Sequence, residues 1–150
     1  MQVGDIMTTD VKTAGADDTF TAVAKILHDN RISSVIVLDG DKIAGIVTER
    51  DVVNLVADEL DPGSLPVKVR MTRQLATVES RTDITEAAQL MAELRIRHLP
   101  VVDKGSLVGV ISIRDLTNWA LGEITGGHEL PDLERSSAAL AAHLEVRRGD

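Results

Sequence analysis

The chain has no cysteine and no tyrosine, and Phe20 and Trp119 are its only aromatic residues. The missing thiol excludes disulfides, thiolate metal sites and a cysteine nucleophile. With so few aromatics, a core drawn from the 43% apolar residues must be aliphatic. No apolar run approaches the roughly 20 residues that a bilayer-spanning helix needs. The opening stretch MQVGDIMTTD lacks the basic region and apolar run of a secretory signal. The expectation is a cytoplasmic protein with no membrane partner. Positive charge is scarce too: 16 lysines and arginines face 24 acidic residues, a net charge of −8. That balance argues against nucleic acid as a partner, because such binding rests on neutralising phosphates. The deficit is uneven. Residues 1–66 hold 12 acidic and 5 basic side chains, and residues 67–150 hold 12 and 11. The second part is therefore the better place for an anionic group.

What the chain does have is a repeat. At an offset of 64 residues, 3–56 lies on 67–120 without a gap. Val3/Val67, Met7/Met71, Thr8/Thr72, Arg31/Arg95, Gly45/Gly109, Arg50/Arg114 and Asp51/Asp115 are among the identical pairs. Two copies of so small a unit bury their apolar faces by packing together about a pseudo-twofold axis. Residues 57–66, with Pro62-Gly63-Ser64 and Pro66, read as the linker. Residues 121–150 form an extension, with a loop over Gly122–Pro131 and a helix over Asp132–Val146.

Each copy reads as strand, helix, strand, strand, helix, an α+β fold. Strands are expected at Val11–Ala14 and Leu75–Val78. Thr19 and Asp83 lie in segments that can cap the helices that follow. Phe20, Val23, Ala24 and Leu27 fall at helical spacing, as do Ile84, Ala87, Ala88 and Met91. Hairpins are expected from Val35–Leu38 to Ile43–Val47 and from Leu99–Val102 to Leu107–Ile111. The closing helices start near Arg50 and Arg114. Helix faces such as Val52, Val56, Leu116 and Trp119 lack obvious cover and point to a homodimer.

One motif recurs where a strand meets the closing helix. Gly45-Ile46-Val47-Thr48-Glu49-Arg50-Asp51 matches Gly109-Val110-Ile111-Ser112-Ile113-Arg114-Asp115. Thr48 or Ser112 can cap the helix, and the aspartate three residues on suits its dipole. That structural reading leaves the glycine and the arginine unexplained. Glycine permits close approach of a ligand. A helix start with a hydroxyl and an arginine can bind an anion, and the carboxylate can accept ribose hydroxyls. Anion plus ribose points to a nucleotide.

The duplicated order, the opening Asp5-Ile6-Met7-Thr8 and the paired Gly-x-x-Thr/Ser-x-x-Asp motifs resemble a tandem pair of CBS domains, named after cystathionine β-synthase. The resemblance covers about residues 3–120. It implies two β-α-β-β-α motifs about a pseudo-twofold axis. It also implies a cleft for adenosine compounds such as AMP, ADP, ATP or S-adenosylmethionine, acting as regulatory ligands rather than catalytic cofactors. By the resemblance, Asp51 and Asp115 would bind ribose, and Thr48 and Ser112 phosphate or ribose oxygens. Thr13-Ala14 and Thr77-Val78 would meet adenine through backbone groups. Arg97, His98 and Pro100 match a segment that reaches phosphates, with Arg50 and Arg114 as further candidates. Ser33-Ser34 replaces the basic pair in the first repeat. The second repeat is therefore expected to gather Arg97, His98 and Arg114 around one site, and the first to offer only Arg50.

Other histidines, His28, His128 and His143, show no metal-ligand spacing. No nucleophile–base pair, metal cluster or phosphate loop stands out, so an enzyme is not expected. Two functions remain: a stand-alone regulatory module that senses adenosine nucleotides and acts on a regulated protein, or a ligand-free module that works by dimerising or docking.

Overall fold

The structure, a computed structural model, describes residues 1–124. The expected helix over Asp132–Val146 lies outside the described residues. In the first repeat the order is β1 (Thr13–Gly15), α1 (Phe20–Asn30), β2 (Ser34–Asp39), β3 (Lys42–Thr48) and α2 (Glu49–Ala57). In the second it is α3 (Ile84–Leu94), β4 (His98–Asp103), β5 (Ser106–Ser112) and α4 (Ile113–Ile124). Helix α4 runs through Gly122–Ile124, where a loop was expected.

Both first helices start on a side-chain cap. Thr19 accepts the Ala22 N–H at 3.2 Å, and Asp83 accepts the Thr85 N–H at 2.8 Å. Each cap satisfies one of the donors that a helix start leaves open. Phe20, Val23 and Leu27 of α1 and Ile84, Ala87 and Met91 of α3 are buried. The hairpins share one register, including a bulge after Val37 and after Val101.

The leading strands differ. In the first repeat β1 runs parallel to β2, with Thr13 opposite Ile36 and Ala14 opposite Val37. In the second, the expected strand Leu75–Val78 shrinks to one bridge, Val78 to Val101. The cause is Pro100. Its counterpart Ile36 donates its N–H to the Lys12 carbonyl at 3.4 Å. Proline has no N–H, so the Ala76 carbonyl lacks that partner and the ladder stops.

The repeats exchange their leading segments. Thr72 exchanges both backbone hydrogen bonds with Ile46 of β3, at 2.9 and 3.0 Å. Thr8 does the same with Val110 of β5, at 3.0 Å each. The pattern continues nearer the linker: Val3 donates to Thr82 and Val67 donates to Asp18, both at 2.8 Å. Residue i meets j+64 wherever i+64 meets j, which is the signature of a pseudo-twofold axis. The core follows the exchange. Phe20, Val23, Val35, Val37, Val47 and Leu55 of the first repeat pack in one cluster with Val67 and Met71 of the second. No polar or charged residue is buried among the described residues. Consistent with this knitting, the chain divides at Ile113/Arg114 and not at the linker; Met1–Ile113 is one compact unit, and a second begins at Arg114.

The exchange also accounts for the motif glycines. A Cβ on Gly45 would lie 2.7 Å from both the Met71 sulfur and the Thr72 carbonyl oxygen. On Gly109 it would lie 2.5 Å from the Met7 sulfur and 3.0 Å from the Thr8 oxygen. Close approach was read from the sequence as an approach to a ligand. It is an approach to the other repeat's backbone.

Candidate functional site

A cleft of about 400 Å³ opens within the first unit. That volume is in the range of small-molecule sites. Its buried base includes Ile46 of β3 and Pro100 of β4. One wall is the start of α2, with Thr48 and Arg50. The exchanged segment supplies Thr72 and Gln74–Ala76, and the turn from α3 into β4 supplies Arg95, Arg97 and His98. Three guanidinium groups and an imidazole therefore meet around a cavity with no carboxylate among its lining residues. In a chain of net charge −8 this is a local reversal of sign.

Thr48 and Asp51 are joined locally. The Asp51 carboxylate accepts the Thr48 N–H at 2.7 Å and the Thr48 hydroxyl at 3.0 Å. Asp51 is half-buried and lies next to the cleft wall in sequence, not among its lining residues. His98 crosses between the repeats: its Nε2 shares a hydrogen bond with the Ser33 Oγ at 2.7 Å. This ties the polar segment of one repeat to that of the other.

Of the residues singled out from sequence, Thr48, Arg50, Arg97, His98 and Pro100 share this cleft. Thr13 and Thr77 are exposed, Val78 is buried, and none of the three lines it. Ala14 is committed to the core beside Val37. Ser112 ends β5 opposite His98. Arg114 and Asp115 belong to the second unit, where Asp115 stands in the first turn of α4. Arg97 and His98 line the cleft with Thr48 and Arg50 of the first repeat, while their backbone also borders the second repeat's own closing motif: His98 pairs with Ser112, and the Ile113 N–H donates to the Arg97 carbonyl at 2.9 Å. The other lining residues were not anticipated: the apolar Ile46, Leu75, Ala76 and Ile96, and the polar Thr72, Gln74 and Arg95. Arg95 had a signal in the sequence, since it repeats as Arg31 where a helix ends.

The sequence profile of the CBS domain matches residues 3–58 and again 65–122. The chain belongs to the CBS-domain family. It is similar to the CBS domain-containing protein YhcV of Bacillus subtilis, at 27% identity over 135 residues, which covers 90% of this chain and 96% of that one. In structure it is similar to the CBS-domain containing protein ATU1752 from Agrobacterium tumefaciens, with a TM-score of 0.76 at 32% identity, covering 80% of this chain and 99% of that one. It is also similar to the CBS domain pair of protein MJ0100, solved with 5-methylthioadenosine and S-adenosyl-L-methionine, with a TM-score of 0.76 at 26% identity, covering 82% and 98% of the two chains. Among the described residues, no helix is long and apolar enough to cross a membrane.

Proposed function

We propose that this CBS pair is a regulatory module, not an enzyme, that binds an adenosine-containing compound in the basic cleft. The observation that carries the reading is the convergence of Arg50, Arg95, Arg97 and His98 on a cavity without a carboxylate. Such a cavity suits the phosphate of AMP, ADP or ATP, or the carboxylate of S-adenosylmethionine, through charge-assisted hydrogen bonds. The adenosine ligands bound to MJ0100 support the nucleoside half of the assignment. The Ala76 carbonyl, short of its ladder partner, is an acceptor for a base amino group. Asp51, next to Arg50 in the first turn of α2, suits the ribose. A ligand held by Thr48 and Arg50 from one repeat and by Arg97 and His98 from the other bridges both. Its binding energy then adds to the cohesion of the pair, and that change is the signal a cytoplasmic partner protein would read.

We also assign the working form to a homodimer. Val53 and Val56 lie one turn apart on α2 and are each 63% exposed, whereas Val52 and Leu116 turn inward. Light scattering tests this: a dimer gives twice the 16.1 kDa chain mass.

The ligand-free reading has one observation in its favour. The Thr48–Asp51 bonds account for both residues as a helix start, with no ligand needed. A thermal-shift panel decides between the two. A ligand that binds only the folded state adds about 2.7 kcal/mol of stability at a hundredfold excess over Kd, a rise of several degrees. A flat response to AMP, ADP, ATP and S-adenosylmethionine at millimolar concentration would hand the function to the interaction module.

A further inference from the structure

Both repeats leave their first helix by the same backbone turn. The Arg95 N–H bonds to the Ala92 carbonyl at 3.3 Å and the Ile96 N–H to the Met91 carbonyl at 3.0 Å. In the first repeat Arg31 bonds to His28 at 3.2 Å and Ile32 to Leu27 at 3.1 Å. This turn requires a left-handed residue, and φ is 52° at Arg31 and 55° at Arg95. Glycine takes that conformation without steric cost and is the usual occupant. An arginine in that conformation is a standing cost to the fold, and the bonds that close the turn are made by the backbone. Strain of this kind persists where the side chain serves another purpose.

At Arg95 a purpose is visible. Its side chain lines the basic cleft, and among the described residues it has no carboxylate in ion-pair distance. It is exposed, as Arg50 and Arg97 are, whereas Thr48 and His98 are half-buried. With those two arginines it stands toward the open edge, where a phosphate chain extending outward from a bound nucleoside would arrive; of the three, only Arg95 is held there at a backbone cost.

We propose that Arg95 is a specificity-determining residue of this cleft, selecting nucleoside di- or triphosphates over the monophosphate and the free nucleoside. The inference rests on the adenosine reading above and narrows it. Its chemistry is a guanidinium donating to phosphate oxygens beyond the first, a contact made only by ligands that carry the longer chain.

The test is isothermal titration of ATP, AMP and adenosine into the parent protein and into Arg95→Gly and Arg95→Lys, with melting curves for each. For Arg95→Gly we expect a Tm at or above the parent's, ATP binding about tenfold weaker and adenosine binding changed by less than about twofold. Arg95→Lys should retain part of the ATP preference. Unchanged ATP affinity, or equal losses for all three ligands, would overturn the proposal while leaving adenosine binding intact. A lowered Tm in Arg95→Gly would show that the arginine serves the fold, and overturns it too. Failure of the parent to bind any of the three would overturn the adenosine reading itself, and this inference with it.

Discussion

Residues 8–12 with 31–36 and residues 72–76 with 95–100 occupy equivalent positions, 64 apart, and carry different charge. In the first set Asp10 pairs with the Lys12 ammonium at 2.8 Å, and Ser33 precedes β2 while Ser34 opens it. In the second set Gln74 and Ala76 replace that ion pair, and Arg97 and His98 replace the serines. Thr8 and Thr72 nonetheless make the same reciprocal backbone bonds. The apolar residues and the motif glycines hold the shared frame. The polar residues between them are free to diverge, and they decide which set gathers the positive charge of the cleft.

The largest effect should come from breaking the frame. Met71 is 7% exposed and lies in the first repeat's core although it belongs to the second. Met71→Ala should cost about 2–5 kcal/mol by urea denaturation. Met7, its half-buried counterpart, should cost less on the same change. A loss below about 1 kcal/mol for Met71→Ala would mean that the exchanged segment does not hold the pair together.

A sharper version leaves the frame alone. Arg97→Ser with His98→Ser gives the second repeat the polar pair of the first. The fold should survive, losing about 0.5–1.5 kcal/mol with the Ser33–His98 hydrogen bond. Binding of AMP should fall tenfold or more, since two charge-assisted contacts are lost from a wet, partly screened site. Calorimetry showing AMP binding within about twofold of the parent would remove the basic segment from the account.

The smallest expected effect is acid sensitivity confined to the second repeat. The Thr85 hydroxyl and then its N–H hold the Asp83 carboxyl below its ordinary pKa, and the Ser80 hydroxyl and N–H do the same for Asp103. A depressed carboxyl stabilises the fold above its unfolded pKa, about 3.9, and that contribution is lost as pH falls through the lower folded value. The counterparts of Asp83 and Ser80 are Thr19, which does not titrate, and Ala16, which has no hydroxyl. Amide exchange below about pH 4 should therefore quicken at Thr85 and Ser80 before it does at Ala22. Simultaneous loosening of all three would contradict this.

Much of the frame was legible in the sequence. The offset fixed the element order, Thr19 and Asp83 were recognisable caps, and the hairpin strands fell within a residue of their observed ends. What escaped was contact between segments far apart in the chain. Gly45 and Gly109 drew attention as positions of close approach, but only the pairing of Thr72 with Ile46 shows what approaches. The same exchange moves Arg97 and His98 opposite the other repeat's Thr48 and Arg50. The loss of the Leu75–Val78 strand turns on Pro100, one donor missing from a neighbouring strand. Arg95 repeats as Arg31, but the strain that sets it apart shows only in its φ of 55°.

The central claim is that the cleft takes an adenosine compound and reads its negative charge. The most direct test is calorimetric titration of AMP and of adenosine into the intact protein at low and high salt. The account predicts that both bind, that AMP binds about tenfold or more tightly, and that the gap narrows as salt rises. Equal affinity for the two at both salt concentrations, or no binding of either, would contradict it.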